Sequence, residues 1–309
     1  MLLLVLYVGL VYTAGLSAAL LAAGPKWRRA MALLVVGAAL PVPYLAPAGY
    51  PAYRAFVALG SLWFLARVIE LVRERGSIPA WLRAWHAVGL VDTLRARRIA
   101  PTVDLPALTR LLLCIPIVTA GLAGVYYGSH LLSDAPRLAV RWVLGTLFVY
   151  AAVELVVSAV IVLYGLLGID PRPLHDDPIR SKTLTEFWGR RWNRAVHRFL
   201  KQSVFIPVAR RGYTELGMAL TFVVSAFIHF AFMLPAVGLL WAAMMGAFFL
   251  LQLPFLWAER ALGVARWPTS LARTWTLALL LASAPLFVEP VLQIVDTWSL
   301  ELPGASVRG

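Results

Sequence analysis

The sequence predicts an all-α polytopic membrane protein, and three observations lead to that fold class. Of the 309 residues, 61% are hydrophobic and 14% are charged, whereas soluble domains have about 45–50% and roughly 25%. Apolar runs of about 20 residues, the length that a helix needs to cross a bilayer, recur along the chain. Basic residues collect between alternate runs. A soluble domain, a disordered chain and a disulfide framework are therefore excluded, the last because the chain has one cysteine.

About eight membrane-spanning helices are predicted, in a single integral membrane domain over residues 1–309. The fifth is long enough to tilt or to continue into the interface. Prolines in the second span (Pro41, Pro43) and in the last (Pro285, Pro290) predict kinks, because neighbouring helices can satisfy the backbone groups that proline frees. The predicted spans are 2–23, 30–48, 52–72, 105–127, 138–168, 216–235, 237–257 and 270–293.

The positions of the basic residues predict how the chain is oriented. Lysines and arginines are enriched in cytoplasmic loops of membrane proteins. Of the 28 basic residues, 21 lie in the segments 24–29, 73–103, 169–215 and 258–269, which all fall on one side of the predicted membrane. We therefore expect these basic loops in the cytoplasm and both termini outside. The net charge of +13 then reflects orientation, and no nucleic-acid partner is predicted.

A helix is predicted in the long basic loop that follows the fifth span. Thr183 followed three residues later by Glu186 forms a capping box, which marks a helix start. The apolar side chains after it occupy about 140° of a helical wheel, with Asn193 at the edge of this arc. These apolar residues are Trp188, Trp192, Ala195, Val196, Phe199 and Leu200. The pattern predicts an amphipathic helix at the membrane interface, although such helices also simply bind anionic lipid.

A second interfacial helix is predicted in segment 73–103, where Trp81 and Trp85 lie among arginines. Indole rings and long basic side chains are both accommodated at the headgroup boundary. The fold class is thus a bundle of membrane-spanning helices with amphipathic helices on its cytoplasmic side.

The sixth span contains few polar residues, and two of them share one face. Ser225 and His229 are separated by four residues, and His229 lies roughly 20 Å along the helix, past the middle of the bilayer. An ionisable residue at this depth is by default a functional hypothesis. Neutral imidazole can accept a proton, as a general base must. The alternative is a histidine that only forms a hydrogen bond between helices.

Four motifs together resemble a known family. They are Pro171-Arg-Pro, the run Ser181-Lys-Thr-Leu-Thr-Glu-Phe-Trp-Gly-Arg-Arg-Trp-Asn193, Phe205-Ile-Pro207 and Val224-Ser-Ala-Phe-Ile-His229. This pattern, over about 171–235, resembles the wax synthase domain of the membrane-bound O-acyltransferase superfamily. The resemblance implies a catalytic segment 171–235 with His229 as the catalytic histidine and Asn193 as its polar partner. It also implies an acyl-coenzyme A co-substrate, no metal and no other cofactor.

The resemblance implies that the acceptor is a lipophilic alcohol: a long-chain alcohol, or another hydroxylated lipid or terpenoid. His229 would take the hydroxyl proton through Nε2 or Nδ1, and Asn193 would polarise the thioester carbonyl or orient the acceptor. Arginines and Lys201 would hold the coenzyme A phosphates. The predicted substrate-binding residues are Trp188, Arg190, Arg191, Trp192, Arg194, Ser225 and Glu154. Glu154, midway along the fifth span, is expected either to line the reaction cavity or to form a structural hydrogen bond.

Two other functions stay open at this point. An intramembrane prenyltransferase would need two aspartate-rich motifs for Mg²⁺-diphosphate, and only the stretch from Asp170 to Asp177 offers carboxylates. We interpret His175, Asp176 and Asp177 as a solvated loop. A transporter would favour inverted repeats, which the sequence does not contain. Convergence of Asn193 and His229 on one cavity that reaches the cytoplasm would favour acyl transfer, whereas a cavity centred on Asp176 and Asp177, with His229 facing lipid, would favour the alternatives.

Overall fold

The computed structural model describes residues 2–74, 76–128, 132–170 and 174–297. The Pro171-Arg-Pro motif lies outside these described residues. The helices are α1 (Leu2–Leu21), α2 (Lys26–Ala38), α3 (Val42–Leu45), α4 (Pro51–Arg73), α5 (Ala80–Val88), α6 (Leu105–Ala123), α7 (Asp134–Leu166), α8 (Leu184–Glu186), α9 (Arg194–Leu200), α10 (Ile206–Ala209), α11 (Thr214–Ala261) and α12 (Thr269–Val295). Single-turn π-helical segments are Gly124–Gly128, Phe187–Arg191 and Lys201–Phe205, and 3₁₀ turns are Pro178–Arg180 and Val264–Arg266. The strands β1 (Arg97–Arg98) and β2 (Ile169–Asp170) pair antiparallel.

Among the described residues, six helical segments are long and apolar enough to cross a membrane, which confirms the all-α multi-pass fold class. These segments are Lys26–Leu45, Pro51–Arg73, Leu105–Tyr127, Ala135–Leu166, Thr214–Ala261 and Thr269–Val295. A shorter apolar helix covers Val5–Leu21. Counted with this shorter helix, and with α11 counted as two arms, the segments correspond to the eight predicted spans.

Helix α11 is a hairpin rather than one rod, and it turns at Gly238. The backbone there has φ +80° and ψ −178°, a conformation that residues with a Cβ rarely adopt. The two arms, 214–237 and 239–261, return along each other. A Cβ placed on Gly246 would lie 3.4 Å from the Ala226 carbonyl oxygen, although a straight helix would separate these residues by about 30 Å. The first arm therefore faces the second along its length.

The predicted proline kinks have two different outcomes. The second span breaks, since α2 ends at Ala38 and α3 begins again after Pro41. Proline has no N–H to donate and its ring clashes with the preceding turn. In the last span, Pro285 and Pro290 remain inside the continuous helix α12.

The helices form two packed groups that meet at α4 and α11. In the first group α1, α2, α4 and α5 pack around a core that includes Val36, Phe64 and Val68. In the second group α6 packs on α7, and α12 contacts both α7 and α11. Large apolar side chains such as Leu34 and Leu239 are exposed on the outer surface, as expected for helices that face lipid.

The interfacial layer is tied to the spanning helices by loop contacts. The β1–β2 pairing joins the loop before α6 to the loop after α7. The Arg198 guanidinium on α9 pairs with Asp92, and Arg73 at the end of α4 contacts Ser203. Helix α9 is therefore anchored against the end of the first group and beside the α11 hairpin, which is where the site lies.

Candidate active site

The predicted capping box starts the loop helix in a modified form. The Thr183 hydroxyl oxygen accepts from the Glu186 N–H at 3.0 Å. The Glu186 carboxylate reaches back to the N–H of Lys182, at 2.8 Å, rather than to that of Thr183. Burial alone would raise the pKa of Glu186, but the Lys182 amide and the Arg191 guanidinium hold that pKa below its usual value.

The prediction of one continuous amphipathic helix from Thr183 onward is wrong, because the helix breaks before α9. Trp192 is extended, and Asn193 adopts the left-handed conformation with φ +37°. The Asn193 side-chain oxygen accepts from the Val196 N–H at 3.2 Å and thus caps α9. Asparagine is among the residues that tolerate this conformation and cap helices well. Wheel angles calculated through residue 193 therefore do not apply.

A cavity of about 360 Å³ lies between this loop and the two arms of the α11 hairpin. Asn193 and His229 both line this cavity, although they are 36 residues apart in the chain. Six of the residues predicted from the sequence line it: Trp188, Arg190, Trp192, Asn193, Ser225 and His229. The remaining lining includes Thr185, His197, Lys201, Met218, Thr221, Phe222, Phe249 and Arg260.

Three predicted substrate-binding residues lie outside this lining. Arg191 is turned to Glu186 at 2.7 Å, and hydrogen bonds with Glu186 raise the pKa of its guanidinium. The backbone N–H of Arg194 donates to the Leu174 carbonyl at 2.8 Å, and Arg194 is not among the residues that line the cavity. Glu154 is bound to His175. The alternative considered for Glu154, a hydrogen bond to a neighbouring segment, is the arrangement in the structure.

The interpretation of His175 as part of a solvated loop is wrong, since it is 4% exposed. Its neighbours Asp176 and Asp177 remain more accessible, and all three residues line a separate pocket with Arg110 and Pro106. Among the described residues, no cluster of three or more His, Cys, Asp or Glu side chains is arranged to hold a metal ion.

The His229 imidazole is held in one orientation by its own helix. Its Nδ1 lies 2.8 Å from the Ser225 carbonyl oxygen, and a carbonyl oxygen can only accept, so Nδ1 carries the proton. The contact involves the Ser225 backbone and not its hydroxyl. The Phe249 ring stacks on the imidazole with centroids 3.8 Å apart. Nε2 is therefore the nitrogen with a free lone pair in the neutral ring.

The cavity has a cationic end and an apolar end. Arg190, Lys201 and Arg260 are exposed at the loop end, and Arg260 also pairs with Glu215 at 2.7 Å. His229 lies deeper, roughly 22 Å along α11 from its start at Thr214, and Phe249 on the second arm stacks on it. The cavity thus extends from the basic loops toward the interior of the bilayer.

His197 adds a neutral group to the wall between these two ends. Burial, together with the nearby Lys201 and Arg198 cations, lowers its pKa, because both disfavour the protonated ring. The imidazole therefore stays uncharged at neutral pH even though it lies close to the cationic end of the cavity.

Two buried residues that the sequence argument missed attach the loop to the hairpin. Gln252 Oε1 accepts from the Trp188 indole N–H at 3.3 Å. Glu259 accepts from the Leu184 N–H at 2.5 Å and from the Thr185 hydroxyl at 3.1 Å. Gln252 and Glu259 are seven residues apart in an apolar helix and so share one face. That pairing of polar residues was a signal available in the sequence.

Comparison with known proteins agrees with this geometry. Residues 137–265 match the model of the MBOAT, membrane-bound O-acyltransferase family. This segment belongs to the membrane-bound O-acyltransferase family. The resemblance predicted from the motifs is confirmed, and the membrane-bound O-acyltransferase segment runs from α7 to the turn after α11, so it contains every residue that lines the cavity.

Several curated relatives match parts of the chain. A probable long-chain-alcohol O-fatty-acyltransferase 2 of Arabidopsis thaliana is 39% identical over 93 residues, which is 27% of this chain and 27% of the relative. A probable long-chain-alcohol O-fatty-acyltransferase 7 of the same plant is 30% identical over 142 residues, 42% of each chain. The long-chain-alcohol O-fatty-acyltransferase of Simmondsia chinensis is 29% identical over 122 residues, 37% of this chain and 34% of the relative. The matches thus span well under half of each relative's length.

Proposed function

We propose that this protein is an acyltransferase that moves an acyl group from acyl-coenzyme A to the hydroxyl of a lipophilic alcohol. One observation carries the proposal. Asn193, on the interfacial loop, and His229, deep in a spanning helix, line one cavity inside the segment of the membrane-bound O-acyltransferase family. A separate pocket of about 350 Å³ lies around Asp176 and Asp177, but it offers one pair of aspartates, whereas a prenyltransferase would need two aspartate-rich motifs. His229 lines the first cavity instead of facing lipid.

His229 is the proposed general base. A hydroxyl is a weak nucleophile until a base removes its proton as it attacks. Nε2 takes that proton while the alcohol oxygen attacks the thioester carbonyl carbon. The tetrahedral intermediate then collapses, the carbon–sulfur bond breaks, and the imidazolium returns the proton to the coenzyme A thiolate. The contact between Nδ1 and the Ser225 carbonyl supports this assignment, because it keeps the proton on Nδ1 and leaves Nε2 unprotonated.

Asn193 is proposed to stabilise the oxyanion that forms on the thioester carbonyl. Its side-chain oxygen already accepts from the Val196 N–H, so the amide NH₂ is the part of the side chain left to meet substrate. An N–H group can donate to a developing oxyanion, and a fixed donor of this kind contributes about 10²–10³-fold to the rate. Of the two roles considered from the sequence, polarising the carbonyl is therefore favoured.

The two ends of the cavity match the two parts of the proposed donor. Arg190, Lys201 and Arg260 offer positive charge at the loop end, and guanidinium and ammonium groups bind phosphate oxygens well. The apolar end, around His229 and Phe249, suits an acyl chain. The matched relatives are named as acyltransferases that act on long-chain alcohols, so a long-chain alcohol is the proposed acceptor.

The test is an assay of membranes from a host without this activity, with labelled acyl-coenzyme A and a panel of long-chain alcohols, sterols and terpenoid alcohols. The wild type should form an ester, identified by mass spectrometry. His229→Ala should lower the rate by about 10²–10⁴-fold, the usual contribution of a general base. The matched control is His86→Ala, because His86 is a buried histidine that lies outside the cavity. Equal rates for wild type and His229→Ala, at equal expression, would exclude the proposed base.

A further inference from the structure

A buried histidine–glutamate pair lies directly behind the wall of the candidate active site. His175 Nδ1 and Glu154 Oε1 are 2.6 Å apart, and the two residues are 4% and 6% exposed. Glu154 belongs to the spanning helix α7, and His175 belongs to the loop that precedes α8. Neither residue lines the cavity with His229. The pair therefore does not meet substrate itself.

The His175 ring instead contacts a residue that does line the cavity. Its imidazole stacks on the Trp192 indole, with centroids 4.4 Å apart and planes at 23°. Phe187 and Tyr150 also stack on the same indole. The orientation of Trp192 is thus set by aromatic contacts, one of which is anchored to α7 through Glu154.

The backbone on each side of His175 holds the turn that presents Asn193. The Asp176 N–H donates to the Arg191 carbonyl at 2.9 Å, and the Arg194 N–H donates to the Leu174 carbonyl at 2.8 Å. These two hydrogen bonds bracket the Trp192–Asn193 turn. Asn193 has φ +37°, a sparsely populated conformation that persists where the surroundings over-determine it. The segment around His175 supplies that constraint.

We propose that His175, anchored by Glu154, is a positioning residue that fixes Trp192 and Asn193 for acyl transfer. This inference rests on the proposed function. A buried polar pair is weak evidence of a stabilising role, since apolar side chains of similar volume are often equally stable. The pair lies behind the turn that carries Asn193, so loss of the pair would let this turn move. A shift of about 1 Å at a reacting group can lower the rate by about 100-fold.

Paired variants of the full-length protein separate two contributions of His175: its bond to Glu154 and the packing of its ring on Trp192. His175→Phe keeps a ring on Trp192 but removes the bond to Glu154, and Glu154→Leu removes that bond from the other side. Glu154→Gln keeps an acceptor. We expect His175→Phe and Glu154→Leu to lower kcat by about 10–100-fold, with a change of less than about threefold in the KM for acyl-coenzyme A. Glu154→Gln should stay within about threefold of wild-type kcat.

A double-mutant cycle distinguishes positioning from general loss of structure. In an Asn193→Gly background the amide is already gone, so His175→Phe should lower the residual kcat by less than about twofold if it acts through Asn193. The matched control is His86→Phe, at the other buried histidine–glutamate pair, which does not touch Trp192. Its effect on kcat per folded molecule should be the same factor in both backgrounds.

The outcomes are distinguishable. An equal loss for His175→Phe in both backgrounds, or Glu154→Leu with wild-type kcat, would overturn the positioning role while His229-dependent transfer still stood. A wild type without acyl transfer would overturn the proposed function and this inference together. If His175→Phe yields no folded protein by size-exclusion chromatography, the comparison of Glu154→Leu with Glu154→Gln decides the inference.

Discussion

The N-terminal helices and the segment that matches the membrane-bound O-acyltransferase family each bury a histidine beside a glutamate, but the surroundings of the two pairs differ. In the first group His86 Nε2 lies 3.1 Å from Glu70, and its other ring nitrogen lies 3.2 Å from the Thr93 hydroxyl. In the second, His175 lies 2.6 Å from Glu154 and stacks on Trp192. Only the second pair is adjacent to a residue that lines the cavity.

This difference indicates which buried polar groups of the protein are candidates for function. Around His86 the polar groups bind one another: Arg67 donates to Glu70 and to the carbonyls of Gly89 and Val91. That network joins helix α4 to the loop after α5 and lines neither of the two cavities described above. In the second region Asn193 and His229 keep hydrogen-bonding capacity that faces an open space. Burial of a polar group is common to both, so the adjoining cavity is the informative observation.

Among the substitutions that test this comparison, those at Asn193 are expected to have the largest effect on kcat. Both Asn193→Ala and Asn193→Gly remove the amide, so kcat should fall by about 100-fold in each. Only Asn193→Ala must also hold a Cβ at φ +37°, so it alone should lose additional thermal stability. Kinetics and thermal unfolding of both variants in detergent check this. Wild-type kcat for the folded glycine variant would remove Asn193 from the mechanism.

A substitution in the first group of helices should lower stability and leave kcat unchanged. A Cβ on Gly15 would lie 2.2 Å from the buried Phe64 ring, and overpacking of this kind costs about 1–3 kcal/mol. Gly15→Ala should therefore lower the midpoint of thermal unfolding but leave kcat per folded molecule unchanged. Gly9→Ala is the control, since nothing lies within 4 Å of its added Cβ. Reduced kcat in folded Gly15→Ala would break the separation of the two regions.

A smaller effect is expected at the contact between the hairpin and the loop. The Leu184 and Thr185 N–H groups each donate to a different side-chain oxygen of Glu259. Glu259→Gln replaces one of these oxygens with an NH₂ group, which cannot accept a hydrogen bond. The loop should be held less firmly, and the KM for acyl-coenzyme A should rise by about threefold to tenfold, or about 1 kcal/mol. Steady-state kinetics measure this, and Glu74→Gln, at an exposed glutamate outside the cavity lining, is the matched control. An unchanged KM would mean that this contact does not shape the donor site.

The smallest effect is a pH dependence at His197. Burial, with Lys201 and Arg198 nearby, holds its pKa below the ordinary 6.5, so the folded protein binds this proton less readily than the unfolded chain does. Stability from this source is fully present above pH 6.5 and declines as the pH falls toward the lower folded value. His197→Gln should flatten this part of the pH profile of thermal unfolding. Parallel profiles for the two proteins would contradict the assignment.

Much of the fold could be predicted because single helices carry their own signals. Apolar runs located the spans, Thr183 and Glu186 located a helix start, and His229 was conspicuous as an ionisable residue in the sixth span. The break at Asn193 could not be predicted by periodicity, because a helical wheel assumes helical angles at every residue. Six of the nine predicted site residues line the cavity. Arg191, Arg194 and Glu154 do not. The Arg191 side chain binds Glu186, Glu154 binds His175, and Arg194 contacts Leu174 through its backbone.

The order of residues alone settled that the chain lies in a membrane, which loops carry its positive charge and which polar residues are exceptional within the apolar spans. These properties depend on neighbours a few residues apart, where hydrophobic periodicity and capping act. Three features became visible only in the tertiary structure. Helix α11 folds back at Gly238, Gln252 and Glu259 bind the loop before α9, and His175 contacts Glu154. Such pairs join segments whose separation in space is fixed by the packing of whole helices, and no local pattern encodes that distance.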